Sequence, residues 1–174
     1  MFNSLAKKIC FGMLCALGIH LILSGSISIA KAQLAQHLLE LSWQQTTSTS
    51  RHKPWPWADT YPVAKMTIER LGYSLVVMSS TSGEALAFGP GHLSASVPPG
   101  HPGNAVIAGH RDTHFRTLRN LLPGDIIQIE RSDSVIVRFK VDELNIVDES
   151  DLSVLSSGHE TELTLITCYP FDSV

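Results

Sequence analysis

Two residues of this chain have the chemistry of a nucleophile and a proton carrier, and each lies near the predicted end of a strand. Cys168 follows residues 164–167, which favour an extended backbone, and Pro170 cannot continue a strand ladder. His110 follows another predicted strand at residues 104–108. A thiol becomes a good nucleophile when a neighbour favours its thiolate, and histidine exchanges protons near neutral pH. The pattern therefore predicts a cysteine–histidine site if the two strand ends meet in space.

Two other interpretations of these residues are open. Free cysteine is among the most frequently buried residue types. Judged by its position alone, Cys168 therefore fits a small buried core residue as well as it fits a reactive thiol. His110, Asp112 and His114 suggest a metal site, but zinc needs at least three protein ligands and no further ligand has suitable spacing. We therefore predict no metal. Further histidines are predicted to be solvated loop residues, namely His92, His101 and His159.

The N-terminal residues predict a membrane anchor. Lys7 and Lys8 precede an apolar run at residues 9–30 that contains no Asp, Glu, Lys or Arg. A bilayer core requires about 20 residues of helix, and the flanking lysines favour a cytoplasmic N-terminus. A cleaved signal peptide is the alternative, because Ala30-Lys31-Ala32 fits the usual cleavage pattern. Both interpretations export the remainder of the chain, where an unpaired Cys168 suggests chemical use.

The composition fits one domain with a short appendage. The chain has 174 residues, of which 44% are hydrophobic and 17% charged, and its formal net charge of -3 gives no indication of nucleic-acid binding. A helical pattern at residues 31–43 and a polar stretch at residues 44–51 predict a tether between anchor and domain. The predicted organisation is a cytoplasmic N-terminus at residues 1–8, an anchor at 9–30, a tether at 31–54 and a domain at 55–174.

Short extended segments dominate the predicted domain, and it contains no long helical pattern. Candidate strands lie at residues 63–69, 73–79, 104–108, 125–130, 135–147 and 162–167. Short helical turns are predicted at residues 82–88, 115–121 and 151–155. This pattern predicts a mostly β domain, a barrel or a sandwich. Trp55 and Trp57 are predicted to pack as a strap along its edge, because their rings favour burial.

The motifs together resemble those of the sortases, which are membrane-anchored cysteine transpeptidases with an eight-stranded β-barrel. The resemblance rests on TLITC at residues 164–168, AGHRDTHF at 108–115 and PGD at 123–125. FGPGH at residues 88–92 and PGNAVIAGH at 102–110 agree with the class D kind. The whole pattern is similar to the type found in Gram-negative marine proteobacteria, and it extends from about Trp55 to the C-terminus.

The resemblance implies roles for three residues. Cys168 would attack the Thr–Gly carbonyl of an LPXTG-like sorting signal to form a thioester, and His110 would protonate the leaving amine and later activate an incoming amine. Thr167 would support the site through its hydroxyl. The implied partners are proteins with such C-terminal signals and an amine of the cell envelope or of another protein. The implied location is the inner (plasma) membrane, crossed once, with the catalytic domain in the periplasm; no cofactor is implied.

The sequence departs from the family pattern at its C-terminus. Sortases carry a catalytic arginine on the strand after the cysteine strand, whereas this sequence stops at Val174. The final barrel strand is missing too, so we interpret the sequence as truncated, as a fragmentary gene model or as a pseudogene product, unless a partner chain supplies the strand. We expect this chain to be inactive or nearly so. The arginines that lie close to His110 in sequence are not assigned as substitutes, namely Arg111, Arg116 and Arg119.

Two other functions fit parts of the pattern. A non-catalytic sortase-like module would bind sorting signals, and its binding would be indifferent to Cys168→Ala. A papain-like cysteine hydrolase would cleave unrelated peptides without transferring them to an amine. The local cysteine motif of the papain-like enzymes is absent, however, and here the histidine precedes the cysteine.

Overall fold

A long N-terminal helix precedes seven strands in the part of the chain that the structure describes. The computed structural model describes residues 4–156, 158 and 160–172, and its account of side chains excludes residues 4–7, 9 and 22–29. The chain divides into two compact units, Met1–His37 and Leu38–Val174. All strands belong to the second unit, so the chemistry predicted from the sequence is confined to it.

The first unit contains most of one long helix, whose last turns belong to the second unit. This helix, α1, spans Ser4–Gln45 and includes the predicted anchor at residues 9–30. Among the residues described, no helix is long and apolar enough to cross a membrane, so the structure does not support the predicted transmembrane span. The side chains of residues 22–29 lie outside the described ones.

The last turns of α1 belong to the second unit. Leu39 is buried in a cluster with Met78 and Ala85, and Glu40 accepts a hydrogen bond from Lys65 Nζ at 2.6 Å. Residues 38–54 were predicted to belong to a tether, but the structure groups them with the strands. The physical reason is that the helix end carries apolar side chains, Leu39 and Trp43, that are almost completely removed from water.

The second unit is mostly β, as the sequence predicted. Its strands are β1 (Pro62–Ile68), β2 (Tyr73–Met78), β3 (Gly91–His92), β4 (Gly103–Ala108), β5 (Ile126–Arg131), β6 (Ile136–Lys140) and β7 (Thr161–Ile166). Short helical segments connect them: α2 (Gly83–Phe88) and two 3₁₀ helices at Arg116–Asn120 and Leu152–Leu155. The predictions of helical turns are confirmed, and so are the strand predictions at residues 63–69, 73–79, 104–108, 125–130 and 162–167, within one or two residues at each end.

The strands form one curled sheet. Its order is β6-β5-β1-β2-β3-β4-β7, with parallel pairing of β2 with β3 and of β4 with β7 and antiparallel pairing elsewhere. Phe139 of β6 and Leu165 of β7 pack against the same buried core although their strands are the two edges of the sheet. The sheet therefore closes on itself nearly completely, as a β-barrel.

The core is built from alternating positions of the central strands. In β1 the burial pattern alternates strictly, and Met66 is fully buried with Val77 of β2 and Ile129 of β5. Phe115, which precedes the first 3₁₀ helix, contributes the largest fully buried side chain of the same cluster. The period of two in the sequence arises because one face of each strand points into this core.

Two predictions about apolar segments are wrong. A strand was predicted at residues 135–147, but β6 ends at Lys140 and the residues after it expose Leu144 and Ile146. An apolar stretch is a strand only where a neighbouring strand pairs with it. Trp55 packs edge-to-face on Phe88, with ring centroids 4.9 Å apart, whereas Trp57 is 79% exposed and is not part of a buried strap.

The prediction that His92 is a solvated loop residue is also wrong. His92 lies in β3, where it pairs with Ile107 of β4, and it is buried. Its Nε2 donates to the carbonyl oxygen of Val97 at 2.8 Å, and burial lowers its pKa below the ordinary value. His101 is half-buried, and His159 lies outside the described residues.

Candidate active site

The parallel pairing of β4 with β7 brings Cys168 and His110 to one edge of the sheet. The last paired residues are Ala108 and Ile166, and Gly109 N donates to Ile166 O at 3.1 Å just beyond them. Each of the two functional residues therefore follows its strand by two positions. Neighbouring strands lie about 4.8 Å apart, so this register brings the backbones of residues 110 and 168 to the same rim of the barrel. Both residues are exposed.

Thr167 ties the two strand ends together. Its Oγ1 donates to the carbonyl oxygen of Gly109 at 2.8 Å, so the residue before Cys168 binds the residue before His110. Gly109 also leaves room for Phe115, because a Cβ at this position would lie 2.8 Å from Cγ of that ring. The backbone that carries His110 is thus fixed by two hydrogen bonds to the cysteine strand and by a buried aromatic ring.

The second histidine of the segment differs from His110. His114 is half-buried, and burial lowers its pKa below the ordinary value, with a smaller contribution from His110. Its carbonyl oxygen accepts a hydrogen bond from the Tyr73 hydroxyl at 3.2 Å. His114 consequently favours the neutral form, whereas His110 is open to solvent. In the described part of the chain, no group of three His, Cys, Asp or Glu residues is placed to hold a metal ion.

Arg111 belongs to the site, although sequence reasoning set it aside. Its Nη1 donates to the carbonyl oxygen of Pro170 at 2.6 Å, and its Nε and Nη2 donate to the two carboxylate oxygens of Asp112 at 2.9 and 3.0 Å. The pKa of Arg111 is raised, mainly by the hydrogen-bonded Asp112 and in smaller part by the charge of Cys168. The β4–β7 pairing makes residues 110 and 168 equivalent positions after their strands, so residues 111 and 169 are equivalent too. This equivalence is the signal that Arg111 lies near the turn after Cys168.

The Asp112 carboxylate interacts with both Arg111 and His110. The Arg111 guanidinium beside it holds the pKa of the Asp112 carboxyl below its usual range, and Arg116 and His110 contribute in the same direction. Asp112 itself is exposed. Arg111 and Asp112 therefore form an ion pair at the rim, directly after His110 in the chain.

A buried asparagine holds the segment that leads into β7. Asn104 of β4 donates from Nδ2 to the carbonyl oxygens of Val154 and Ser156, both at 3.1 Å. Its Oδ1 accepts a hydrogen bond from Thr164 Oγ1 at 2.8 Å. The sequence shows no signal for this contact, because it joins residues that are 50 or more positions apart.

A curled β-sheet with a free cysteine and a histidine at neighbouring strand ends defines a sortase-like fold. The model of the sortase domain family matches residues 66–174, which is more than half of the chain. The chain therefore belongs to the sortase family, whose members are cysteine transpeptidases.

The relatives point to class D. Sortase D of Bacillus subtilis (strain 168) is 34% identical over 110 residues, 63% of this chain and 55% of that protein. Sortase SrtE1 of Streptomyces coelicolor is 35% identical over 89 residues, 45% of this chain and 25% of that protein. The chain thus spans about half or less of the length of these curated relatives, and class D-like membership fits the sequence motifs.

Solved structures show the same architecture. A Sortase D5 transpeptidase of Clostridium perfringens is 30% identical with a TM-score of 0.57, covering 63% of this chain and 71% of that one. Sortase A from Corynebacterium diphtheriae, at 24% identity and a TM-score of 0.61, covers 79% of this chain and 78% of that one, and it shows the fold alone. The mostly β, sortase-like fold predicted from the sequence is thereby confirmed.

Proposed function

We propose that this chain is a sortase-type transpeptidase that acts on proteins with an LPXTG-like C-terminal sorting signal. The observation that supports the proposal is the β4–β7 register, which brings the strand ends that carry Cys168 and His110 to the same rim. An exposed thiol beside an exposed imidazole suits acyl transfer, because the thiol can attack a carbonyl and the imidazole can move the proton. Membership of the sortase family supports the choice of substrate class.

The reaction proceeds in two balanced steps. The Cys168 thiolate attacks the Thr–Gly carbonyl, the C–N bond breaks, and protonated His110 gives its proton to the leaving amine. The product is a thioester between the threonine carbonyl and Cys168. An incoming amine then attacks the thioester, His110 accepts the proton of that amine, and the C–S bond breaks to release a new amide and the free thiolate.

The remaining contacts support these roles. Thr167 holds the backbone before His110 through its bond to the Gly109 carbonyl, so the distance between nucleophile and proton carrier is set by the strand pair. The neutral His114 does not compete for the role of His110, because burial disfavours its charged form.

The test is a single-turnover acylation experiment, since it detects the thioester even when turnover is slow. The 174-residue chain is incubated with an LPXTG-type peptide, and the intact mass of the protein is followed with and without an added amine. Because the sequence predicts a chain with little or no turnover, we expect a single slow acylation: one adduct on Cys168 forms in the wild type, is absent from Cys168→Ala, and forms at least about 100-fold more slowly in His110→Ala. Addition of the amine should discharge the adduct and yield the amide.

The same experiment separates the transpeptidase from a binding-only module. Saturable binding of the peptide without an adduct, unchanged in Cys168→Ala, would contradict the proposal and favour a module that recognises sorting signals without cleaving them. Discharge of the adduct by water alone, at a rate that the amine does not alter, would identify a hydrolase instead. The acceptor, whether an amine of the cell envelope or of another protein, follows from which amines accelerate the discharge.

We also infer that the domain acts outside the cytoplasm, and this inference rests on the sequence. Lys7 and Lys8 before the apolar residues 9–30 favour export of everything that follows. A C-terminal alkaline phosphatase fusion tests it, because this reporter is active only outside the reducing cytoplasm. An inactive fusion, combined with a fluorescent cytoplasmic reporter at the same position, would contradict export.

A further inference from the structure

A polar cavity of about 610 Å³ lies in the second compact unit. Loop residues from three parts of the chain line it: residues within 46–51 after α1, within 94–101 between β3 and β4, and within 131–133 at the end of β5. Among the described residues that line it, neither Cys168 nor His110 occurs. Its volume is typical of sites for small organic ligands, which measure about 300–1,000 Å³. The cavity is therefore a candidate site that is not part of the proposed active site.

The guanidinium of Arg51 gives the cavity a positive charge. Its Cζ lies 4.8 Å from the centroid of the Tyr61 ring, which lines the cavity too, so an aromatic face holds the cation in place. In the part of the chain that the structure describes, Arg51 has no acidic partner. Arg131 also lines the cavity, but it pairs with Asp133 at 2.6 Å. Two arginines and one carboxylate leave a net charge of +1, which matches a ligand with one negative charge.

Hydrogen-bonding groups without a protein partner occur in each of the three loops. The lining hydroxyls that make no hydrogen bond to another described residue are those of Ser48, Ser94 and Ser132. His101 lines the cavity as well, and its Nδ1 is buried without a hydrogen-bond partner. Ser96 differs from these residues, because its hydroxyl is used in hydrogen bonds to the backbone. Buried polar atoms are rarely left unpaired in native proteins, so this arrangement indicates a partner from outside the chain.

We propose that this cavity binds a phosphodiester, with Arg51 as the charged partner of the phosphate and the three serine hydroxyls as further donors. A phosphodiester carries one negative charge and has acceptor oxygens in several directions, which suits donors that come from three loops. The two oxygens of a carboxylate lie in one plane and suit them less. Apolar faces of Pro98, Pro99 and Tyr61 line the same cavity and would contact the organic part of the ester. The inference goes beyond the proposed function and does not depend on it.

Isothermal titration calorimetry with glycerophosphoglycerol, a soluble phosphodiester, tests the proposal. The full chain is kept in micelles of an uncharged detergent, because α1 exposes apolar side chains such as Phe11 and Leu14. All titrations have the same ionic strength, since salt screens charge interactions. We expect saturable binding with a dissociation constant below about 1 mM. Glycerol, which has no charge, should not bind, and lactate, which has a carboxylate instead of a phosphate, should bind at least about tenfold more weakly.

The variants separate Arg51 from the general charge of the protein. Arg51→Gln should weaken binding at least about tenfold, and Arg51→Lys should be intermediate because it keeps the charge without the planar fork. Arg138→Gln is the matched control, since it removes an exposed arginine of β6 that pairs with Glu69, and it should match the wild type within about twofold. The double variant Ser94→Ala/Ser132→Ala should weaken binding about three- to tenfold, and it tests the site independently of the folding of Arg51→Gln.

Three results would overturn the proposal. The first is the absence of saturable binding of glycerophosphoglycerol to the wild type. The second is an affinity that is the same in Arg51→Gln as in the wild type, or the same for lactate as for the phosphodiester. The third is loss of binding in Cys168→Ala, because it would assign the ligand to the proposed active site.

A competition experiment distinguishes two sources of the phosphodiester. Phosphatidylglycerol carries the same group in its headgroup, and it is mixed into the micelles before the titration; a fatty acid in its place controls for the charge of the micelle surface. If the phospholipid abolishes binding of the soluble ester and the fatty acid does not, a lipid headgroup occupies the cavity. If neither has an effect, the ligand is a soluble phosphodiester. Both results support the site.

This binding is measured separately from acyl transfer. A chain that binds glycerophosphoglycerol through Arg51 but forms no acyl adduct with an LPXTG-type peptide would support the inference about the cavity and contradict the proposed function. A chain that forms the adduct but does not bind the phosphodiester would do the reverse.

Discussion

The two halves of the sheet share one core but differ in their polar contacts. In the half formed by β1, β2 and β5, apolar side chains alternate into one core, and Met66, Val77 and Ile129 are fully buried. In the half formed by β4 and β7, polar contacts fix the strand ends, as in the hydrogen bond from Thr167 to Gly109. Strands β4 and β7 also contribute side chains to this core, so both halves contribute to stability, and the polar contacts of the second half in addition fix the geometry of the site. Removing single contacts from either half tests whether stability or the geometry of the site depends on them.

The largest loss of stability is expected in the apolar half. Ile129→Ala leaves a cavity at a fully buried position, which should lower the free energy of unfolding by about 2–5 kcal/mol. Urea denaturation measures this change. Ile136→Ala is the matched control, because Ile136 is 56% exposed, and it should change stability by less than about 0.5 kcal/mol. The alkylation rate of Cys168 in the folded Ile129→Ala protein should be unchanged; a tenfold change would contradict the division into two halves.

Gly109→Ala should affect both stability and reactivity. The added Cβ would lie 2.8 Å from the buried Phe115 ring, so the ring or the His110 backbone must shift, at a cost of about 1–3 kcal/mol. We expect slower alkylation of Cys168 and loss of acyl adduct as well. The double variant Gly109→Ala/Phe115→Leu relieves the contact and should recover part of both properties. Wild-type stability of the single variant would show that the ring adapts freely.

Asn104→Ala should release the segment that precedes β7. It removes two donors and one acceptor at a buried position and leaves Thr164 without its partner, a loss of about 1–3 kcal/mol. Limited proteolysis should cut within residues 141–160 sooner than in the wild type. Asn104→Asp keeps the acceptor for Thr164 and loses the donors, so it should be intermediate; equal protection of all three proteins would contradict the assignment.

Thr167→Val should give a smaller change in stability and a clear change at the site. The variant keeps the shape of the side chain and loses the bond to the Gly109 carbonyl, which contributes about 0.5–1.5 kcal/mol. We expect slower formation of the acyl adduct, while Thr167→Ser retains the hydroxyl and the wild-type rate. An unchanged rate in Thr167→Val would show that the backbone pairing alone holds the two strand ends.

A partly exposed ion pair at the ends of β1 and β5 predicts a pH dependence of stability. The Arg70 guanidinium holds the pKa of the Asp125 carboxyl below its ordinary 3.8, and the Leu122 N–H acts in the same direction. Because the folded-state pKa is depressed, this contribution is present above pH 3.8 and is lost as the pH falls through the folded-state value. The difference in Tm between wild type and Asp125→Asn should therefore shrink below pH 3.8. A constant difference down to pH 2.5 would contradict this.

Local patterns in the sequence were sufficient to predict most strands and helical turns of the fold. The extended patterns at residues 63–69 and 73–79 predicted β1 and β2, which pair antiparallel. The same reasoning was wrong for residues 141–147, because an apolar alternation does not reveal whether a partner strand exists. It also misjudged His92, whose burial depends on the pairing of β3 with β4.

By itself, the sequence determined the candidate residues of the site, Cys168 and His110, because nucleophile and proton carrier are recognisable by type and by their positions at strand ends. Only the tertiary structure decided which residues support them. Arg111 was set aside because it is adjacent to His110 in the chain, yet its guanidinium reaches the carbonyl of Pro170 through the parallel register of β4 and β7. Asn104 likewise holds a distant segment. A strand periodicity specifies which face a side chain occupies, whereas the register between strands specifies which distant residue it meets.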